Sequence, residues 1–76
     1  MKDEGEWEAL AKGLLKAELK RRGVSYDQLS EKLREVGVNE TPAAISNKIS
    51  RGRFTAVFLL QCLTVIGCTS LRLSDG

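Results

Sequence analysis

The amino-acid sequence predicts an all-α protein, a compact bundle of four or five short helices with a short C-terminal tail. Apolar residues recur at three- and four-residue steps along most of the chain. Capping residues stand at the heads of three of these periodic segments, and a glycine follows each segment. Strand patterns are nearly absent, and the single proline is Pro42. No repeat, low-complexity tract or linker interrupts the 76 residues. They read as one domain spanning 1–76, with 1–5 expected to be disordered and 69–76 forming the tail.

The first helix is read from Trp7, Leu10, Ala11, Leu14, Leu15 and Leu19, the apolar stripe of an amphipathic segment. Glu6, Glu8, Lys12, Lys16 and Lys20 occupy its other faces. Lys20, Arg21 and Arg22 fill the last turn, where cations complement the helix dipole, and Gly23 permits the stop. Capping accounts for this basic triplet; phosphate contact is a second role open to it.

Ser25 heads the second helix, and Gln28 three residues later completes a capping box. Tyr26, Leu29, Leu33 and Val36 form its stripe, and Gly37 ends it. Thr41 caps the third helix, with Pro42 in the first position, where a missing N–H costs nothing. Ile45 and Ile49 lie one turn apart facing the core, and Gly52 stops the helix. Thr55 caps the fourth, where Phe54 and Leu59 have the spacing of a hydrophobic staple. Phe58, Leu59, Cys62, Leu63 and Ile66 make one face of that helix; Val57, Leu60 and Thr64 make another. Gly67 closes it, and Leu71 and Leu73 can pack as an extended segment.

Composition narrows the function classes. At 42% hydrophobic and 29% charged, the chain reads as globular. Apolar runs such as 56–60 are too short to span a bilayer, and no secretory signal is recognisable, so a cytoplasmic location is expected. Cys62 and Cys68 read as reduced, buried thiols. There is no histidine, no clustered carboxylate pair and no phosphate-cradling glycine loop. Catalysis, metal binding, a cofactor and a small-molecule ligand are therefore not expected. Residues 1–40 hold eight basic and nine acidic side chains, whereas 41–76 hold Lys48, Arg51, Arg53 and Arg72 against Asp75 alone. The positive excess gathers around the third helix, as an anion-binding surface requires.

The second and third helices with their glycine-containing turn have the layout of a helix-turn-helix. A helix that enters the major groove is held from behind by apolar residues while its outer residues stay small. Ile45 and Ile49 supply the rear anchor. Ala43, Ser46, Asn47 and Ser50 fall on or near the outward side, where a thymine methyl, an adenine edge or either base type can meet them. Lys48, Arg51 and Arg53 are placed for phosphates, together with the amides around Thr41. The same polar residues also suit a solvated helix face, and the arginines an ordinary helix end.

"LLKAELKRRGVSYDQLSEKL" followed by "AISNKISRGRFTAVFLLQCLTVIGC" resembles the repressor-type domains of the Cro and lambda-repressor-like (XRE-like) superfamily. There a first helix ends in basic residues and Gly, and a Ser-x-x-x-Leu helix follows. An Ile-Ser-x helix then ends in Arg-Gly, ahead of a last apolar helix closing on Gly-Cys or Gly-Val. The chain is more similar still to a family of short bacterial proteins known only as a domain of unknown function. That family shares a Trp near the start, "LLKAELKRRG", Tyr-x-x-Leu, "NK" with "RG", and "FLLQCL".

The resemblance implies a DNA-binding transcriptional regulator acting on double-stranded DNA as a homodimer, nucleoid-associated in the cell. Val57, Leu60 and Thr64 are the candidate dimer surface; packing against the first helix or the tail is the other use for them. Three departures stand out. Leu33 and Ile45 are twelve steps apart, more than such domains usually allow, which implies a longer second helix, a longer connection, or both. Tyr26 stands where a phosphate-gripping Gln is common, so its hydroxyl substitutes for that group, with Gln28 as the second phosphate candidate, or its ring packs inward. Pro42 and Ala43 offer no side-chain donor where base readers usually open the third helix. These departures keep a second reading open: an antitoxin-like or polymerase-associated protein-interaction module on the same frame.

Overall fold

Capping chemistry sets where each helix begins, and the computed structural model, which describes residues 2–73, has four of them. They are α1 (Glu4–Arg21), α2 (Tyr26–Glu35), α3 (Pro42–Arg51) and α4 (Ala56–Val65). No strand and no fifth helix occurs among the described residues. None of the described helices is long and apolar enough to cross a membrane.

α1 starts earlier than its apolar stripe predicts. The Asp3 carboxylate accepts from the Glu6 amide at 2.8 Å, and Glu4 and Glu6 sit at the positive end of the helix dipole. Residues 4 and 5, expected to be disordered, are therefore helical, while Met1 lies outside the described residues. Trp7, taken as the first core position, is instead 53% exposed, with the Lys2 ammonium 5.7 Å from its ring centroid.

In α2 the Ser25 hydroxyl accepts from the Gln28 amide at 3.2 Å, and the Gln28 side chain accepts from the Ser25 amide at 2.9 Å. The helix ends at Glu35, so the additional residues before α3 lie in the connection 36–41 and not in a longer helix. Val36, expected on the inner stripe, is 62% exposed. Past it the chain folds back: the Val38 amide reaches the Leu33 carbonyl at 2.9 Å, and Val38 takes the place against the core. Buried Ser30 donates its hydroxyl to the Glu40 carbonyl at 2.5 Å, which fastens the far end of the loop to α2. The connection is thus tied to α2 near both of its ends.

The Thr41 and Thr55 hydroxyls accept from the amides of Ala44 and Phe58 at 3.1 and 3.0 Å, which starts α3 and α4. Phe54 and Leu59 are both half-buried against the core, as a staple requires, and the Phe54 and Phe58 rings meet at 5.8 Å. α3 and α4 each pack against both α1 and α2. Leu15, Leu29, Leu33, Ile45, Ile49 and Cys62 are fully enclosed where the four helices meet. Each buried aliphatic side chain there contributes about 1.5–3 kcal/mol. Leu71 folds against this core from the tail, while Leu73 is 67% exposed. The end of the tail, 74–76, lies outside the described residues.

Candidate nucleic-acid interface

α3 divides cleanly into an inside and an outside. Ile45 and Ile49 are fully buried, and Ala43, Asn47, Ser50 and Arg51 are exposed. At 100° per residue, the stripe of Ala43, Asn47 and Ser50 lies diametrically opposite the isoleucine pair. Ser46 sits at the border, half-buried. All four residues expected at base edges are thus on or beside one open face of small side chains.

The residues expected to hold phosphate do not form one set. Arg51 is exposed and takes part in no ion pair among the described residues. Lys48 is already matched: its ammonium bonds the Glu40 carboxylate and lies 4.9 Å from the Phe58 ring centroid. Arg53 is turned back toward α1, bonded to the Glu8 carboxylate with Glu4 at 4.0 Å. The Glu8 hydrogen bond, then its charge, hold the guanidinium still more firmly protonated. Of the three cations expected at phosphates, Arg51 alone is unpaired among the described residues. Sequence spacing could not reveal this, because Glu8 is 45 residues from Arg53.

The amides around Thr41 are likewise mostly engaged. Pro42 has no N–H, the Ala44 amide is held by the Thr41 side chain, and the Ile45 amide by the Thr41 carbonyl at 2.9 Å. Only the Ala43 amide of that turn is without an acceptor among the described residues. The Gln28 side-chain carbonyl is committed to the capping box. Tyr26 packs half-buried against the core, settling its place on the inward side. It borders an open groove between α1 and α2 with Lys16, Leu19, Lys20, Val24 and Ser25.

Two anchoring residues escaped the pattern of apolar spacing. The Lys12 ammonium donates to the Ser50 carbonyl at 3.3 Å, placing a cation of α1 at the carbonyl end of α3. Glu18 is only 6% exposed, clamped by Arg22 and by Arg21 at 2.9 Å, with the Cys68 thiol 3.7 Å away. The Arg22 hydrogen bond, opposed by burial and aided by both arginine charges, holds its carboxyl below the usual carboxylate range. The spacing of Glu18 to Arg21 and Arg22 was a usable signal, since residues three and four apart meet on a helix. Cys62 is buried and Cys68 half-buried, both reduced; burial pushes the Cys62 thiol up to about 12.

The candidate dimer residues Val57, Leu60 and Thr64 are all exposed, at 64% and 62% for the first two. Neither α1 nor the tail covers them. Val57, Leu60 and Thr64 share one shallow apolar groove with Val36 and Val38, where the α2 end meets α4.

No curated protein and no solved structure shows significant similarity to the chain. One family profile spans residues 7–71, nearly the whole of it. The chain therefore belongs to the DUF6471 family, a domain of unknown function.

Proposed function

We propose that this chain is a small DNA-binding protein, a repressor-like transcriptional regulator whose α2 and α3 act as a helix-turn-helix. In this reading the segment 41–51 docks in the major groove of double-stranded DNA. The observation that carries it is the opposition on α3: two fully buried isoleucines behind, and an exposed stripe of Ala43, Asn47 and Ser50 ending at Arg51 in front. A helix meant only to face water gains nothing from small outer residues; one that approaches base edges needs them. Asn47 is assigned to an adenine, Ala43 to a thymine methyl, and Ser46 and Ser50 to whichever edge adjoins them. Arg51 takes a phosphate, and Lys48 and Arg53 join it only by exchanging a carboxylate for one. Thr41, Tyr26 and Gln28 stand behind them as supports of the helix starts.

One short helix reads too few bases for useful specificity, so a homodimer is part of the proposal. Val57, Leu60 and Thr64 are its joining face. The site of action is the cytoplasm, at the nucleoid.

The pairing of Lys48 with Glu40 and of Arg53 with Glu8 favours a second reading, in which the same frame docks on another protein. Mobility shift of the full chain on genomic fragments separates the two. Specific retention that survives competitor DNA supports the regulator. Asn47→Ala is then expected to relax discrimination at one base pair by about 1–3 kcal/mol, and Arg51→Ala to weaken all duplexes alike. Variants indistinguishable from the parent would remove the assignment of α3.

A further inference from the structure

We infer that the outer face of α1 is a second DNA-contacting surface, a lysine ridge that follows the phosphate backbone beside the groove occupied by α3. The inference rests on the reading of α3 as the groove helix. It concerns a different element, and it moves the main electrostatic contact away from α3.

Lys12, Lys16 and Lys20 stand four residues apart, hence on one side of α1, and none takes part in an ion pair among the described residues. Between and beside them lie Ala9, Gly13 and Ala17, all exposed. A Cβ added at Gly13 would meet nothing within 4 Å, so this side of the helix is open. Its one carboxylate, Glu6, stands in the first turn of α1, ahead of all three lysines. Glu4 and Glu8 are drawn to Arg53, and Glu18 is turned inward between Arg21 and Arg22. The outer face of α2 differs, because its charges alternate in sign and Arg34 meets Glu31 at 3.6 Å. A solvated helix face ordinarily looks like that of α2; from Ala9 to Lys20 this face of α1 carries lysines and small residues and no carboxylate.

Its position fits the same partner. Lys12 bonds the carbonyl of Ser50, a residue of the outward stripe of α3, so the ridge begins where that stripe ends. At the other end Lys16 and Lys20 border the groove at the first turn of α2. From Lys12 to Lys20 the helix rises about 12 Å, the axial span of roughly three to four nucleotides of one strand. Lysine ammoniums on flexible stems suit a run of phosphates and not a base edge. Small neighbours allow the backbone to come close.

The test is the salt dependence of duplex binding, followed by fluorescence anisotropy of the full chain. Each neutralised phosphate contributes about 0.9 to the slope of log affinity against log salt. The double variant Lys16→Gln, Lys20→Gln is expected to flatten that slope by about 1.8, so that between 50 and 200 mM salt it loses roughly tenfold less affinity than the parent. Base discrimination stays as in the parent, and Lys16→Arg, Lys20→Arg restores the slope. Lys48→Gln, whose charge is already met by Glu40, is expected to change the slope by less than about 0.5. Both positions are exposed and glutamine is a comparable helix former, so helicity and the thermal midpoint serve as folding controls. An unaltered slope in the double variant, with Asn47→Ala or Arg51→Ala still impaired, overturns the ridge alone. Absence of any duplex binding by the parent overturns the α3 reading and the ridge with it.

Discussion

Helices α3 and α4 are both ten residues long, both open on a threonine whose hydroxyl accepts from the third helical amide, and both stop at a glycine of positive φ. They part company on their outer sides. α3 buries Ile45 and Ile49 and shows water a row of small and polar groups. α4 buries Phe58, Cys62 and Leu63, yet its outer side carries Val57 and Leu60, and it has no charged residue at all. The inner faces of both follow from the need to enclose the core. The outer face of α3 is compatible with water, whereas that of α4 gains nothing from it. Single exposed aliphatic residues are ordinary, but Val36, Val57 and Leu60 adjoin one another around one groove. The difference teaches where the bundle is complete and where it is left open.

The ends of the two helices carry the same contrast. At Gly52, with φ of 67°, an added Cβ would stand 2.4 Å from the Glu8 carbonyl oxygen. At Gly67, with φ of 81°, it would meet nothing within 4 Å. α3 is thus pressed backbone to backbone onto α1, while the α4 end is free of such a constraint.

The largest expected effect breaks the inner half of the comparison. Ile49→Ala leaves a cavity at the centre of the bundle and is expected to remove about 3–4 kcal/mol, most of what so small a domain possesses. Val57→Ala on the open side is expected to remove less than about 0.5 kcal/mol. Urea unfolding of both measures the ratio, and equal losses would mean that α3 and α4 are not built differently.

Next come the glycines. Gly52→Ala combines a left-handed backbone with a backbone clash and is expected to destabilise by about 3 kcal/mol. Gly67→Ala has the backbone strain alone, about 1 kcal/mol. Thermal midpoints distinguish them, at about 4–8 °C per kcal/mol for a chain of this size.

Leu60→Glu sharpens the outer half. If two copies join through α4, the substitution is expected to weaken self-association by about 2 kcal/mol, read by sedimentation equilibrium, without lowering monomer helicity. A parent that stays monomeric at high concentration would leave the α4 face without the use proposed for it.

Acid is expected to act on α1 through Glu18. Because the folded-state pKa of Glu18 is lowered, its contribution is fully present above the ordinary value of 4.5 and is lost as pH falls below it through the folded value. Glu18→Gln is expected to flatten that limb of the stability curve, followed by chemical denaturation at each pH. The smallest effect concerns Cys62. With its thiol buried and held protonated up to about 12, it is expected to resist alkylation at pH 8 until the chain unfolds. Mass spectrometry after iodoacetamide reports this directly, and rapid labelling of folded Cys62 would contradict its burial.

Which parts were legible follows from the range of the forces. The Ser25–Gln28 box, the Thr41 and Thr55 caps and the Ile45–Ile49 pair are set by groups three or four residues apart, so the pattern alone exposed them. Asp3 as the true start of α1 was equally local but was hidden by reading from the apolar stripe. Trp7 and Val36 were misplaced because periodicity continues past the point where another helix is present to cover it. Around α3, the polar face was read correctly as a face, but the state of its charges was not. Lys48 and Arg53 count as positive in any composition, whether or not Glu40 and Glu8 stand beside them.

The sequence by itself determined the all-helical class, the caps of α2, α3 and α4, the centres of the inner faces and the membership of the charge inventory, since each depends on contacts within a turn or on simple counting. Tertiary structure alone decided how that inventory was spent. Packing α1 against the end of α3 brings Glu8 to Arg53 and Lys12 to Ser50, and folding back of the 36–41 connection brings Glu40 to Lys48. Coulomb attraction depends on distance in space, not along the chain, so only the folded arrangement reveals which cations are cancelled and which, on the open side of α1 and at Arg51, remain to meet an anion.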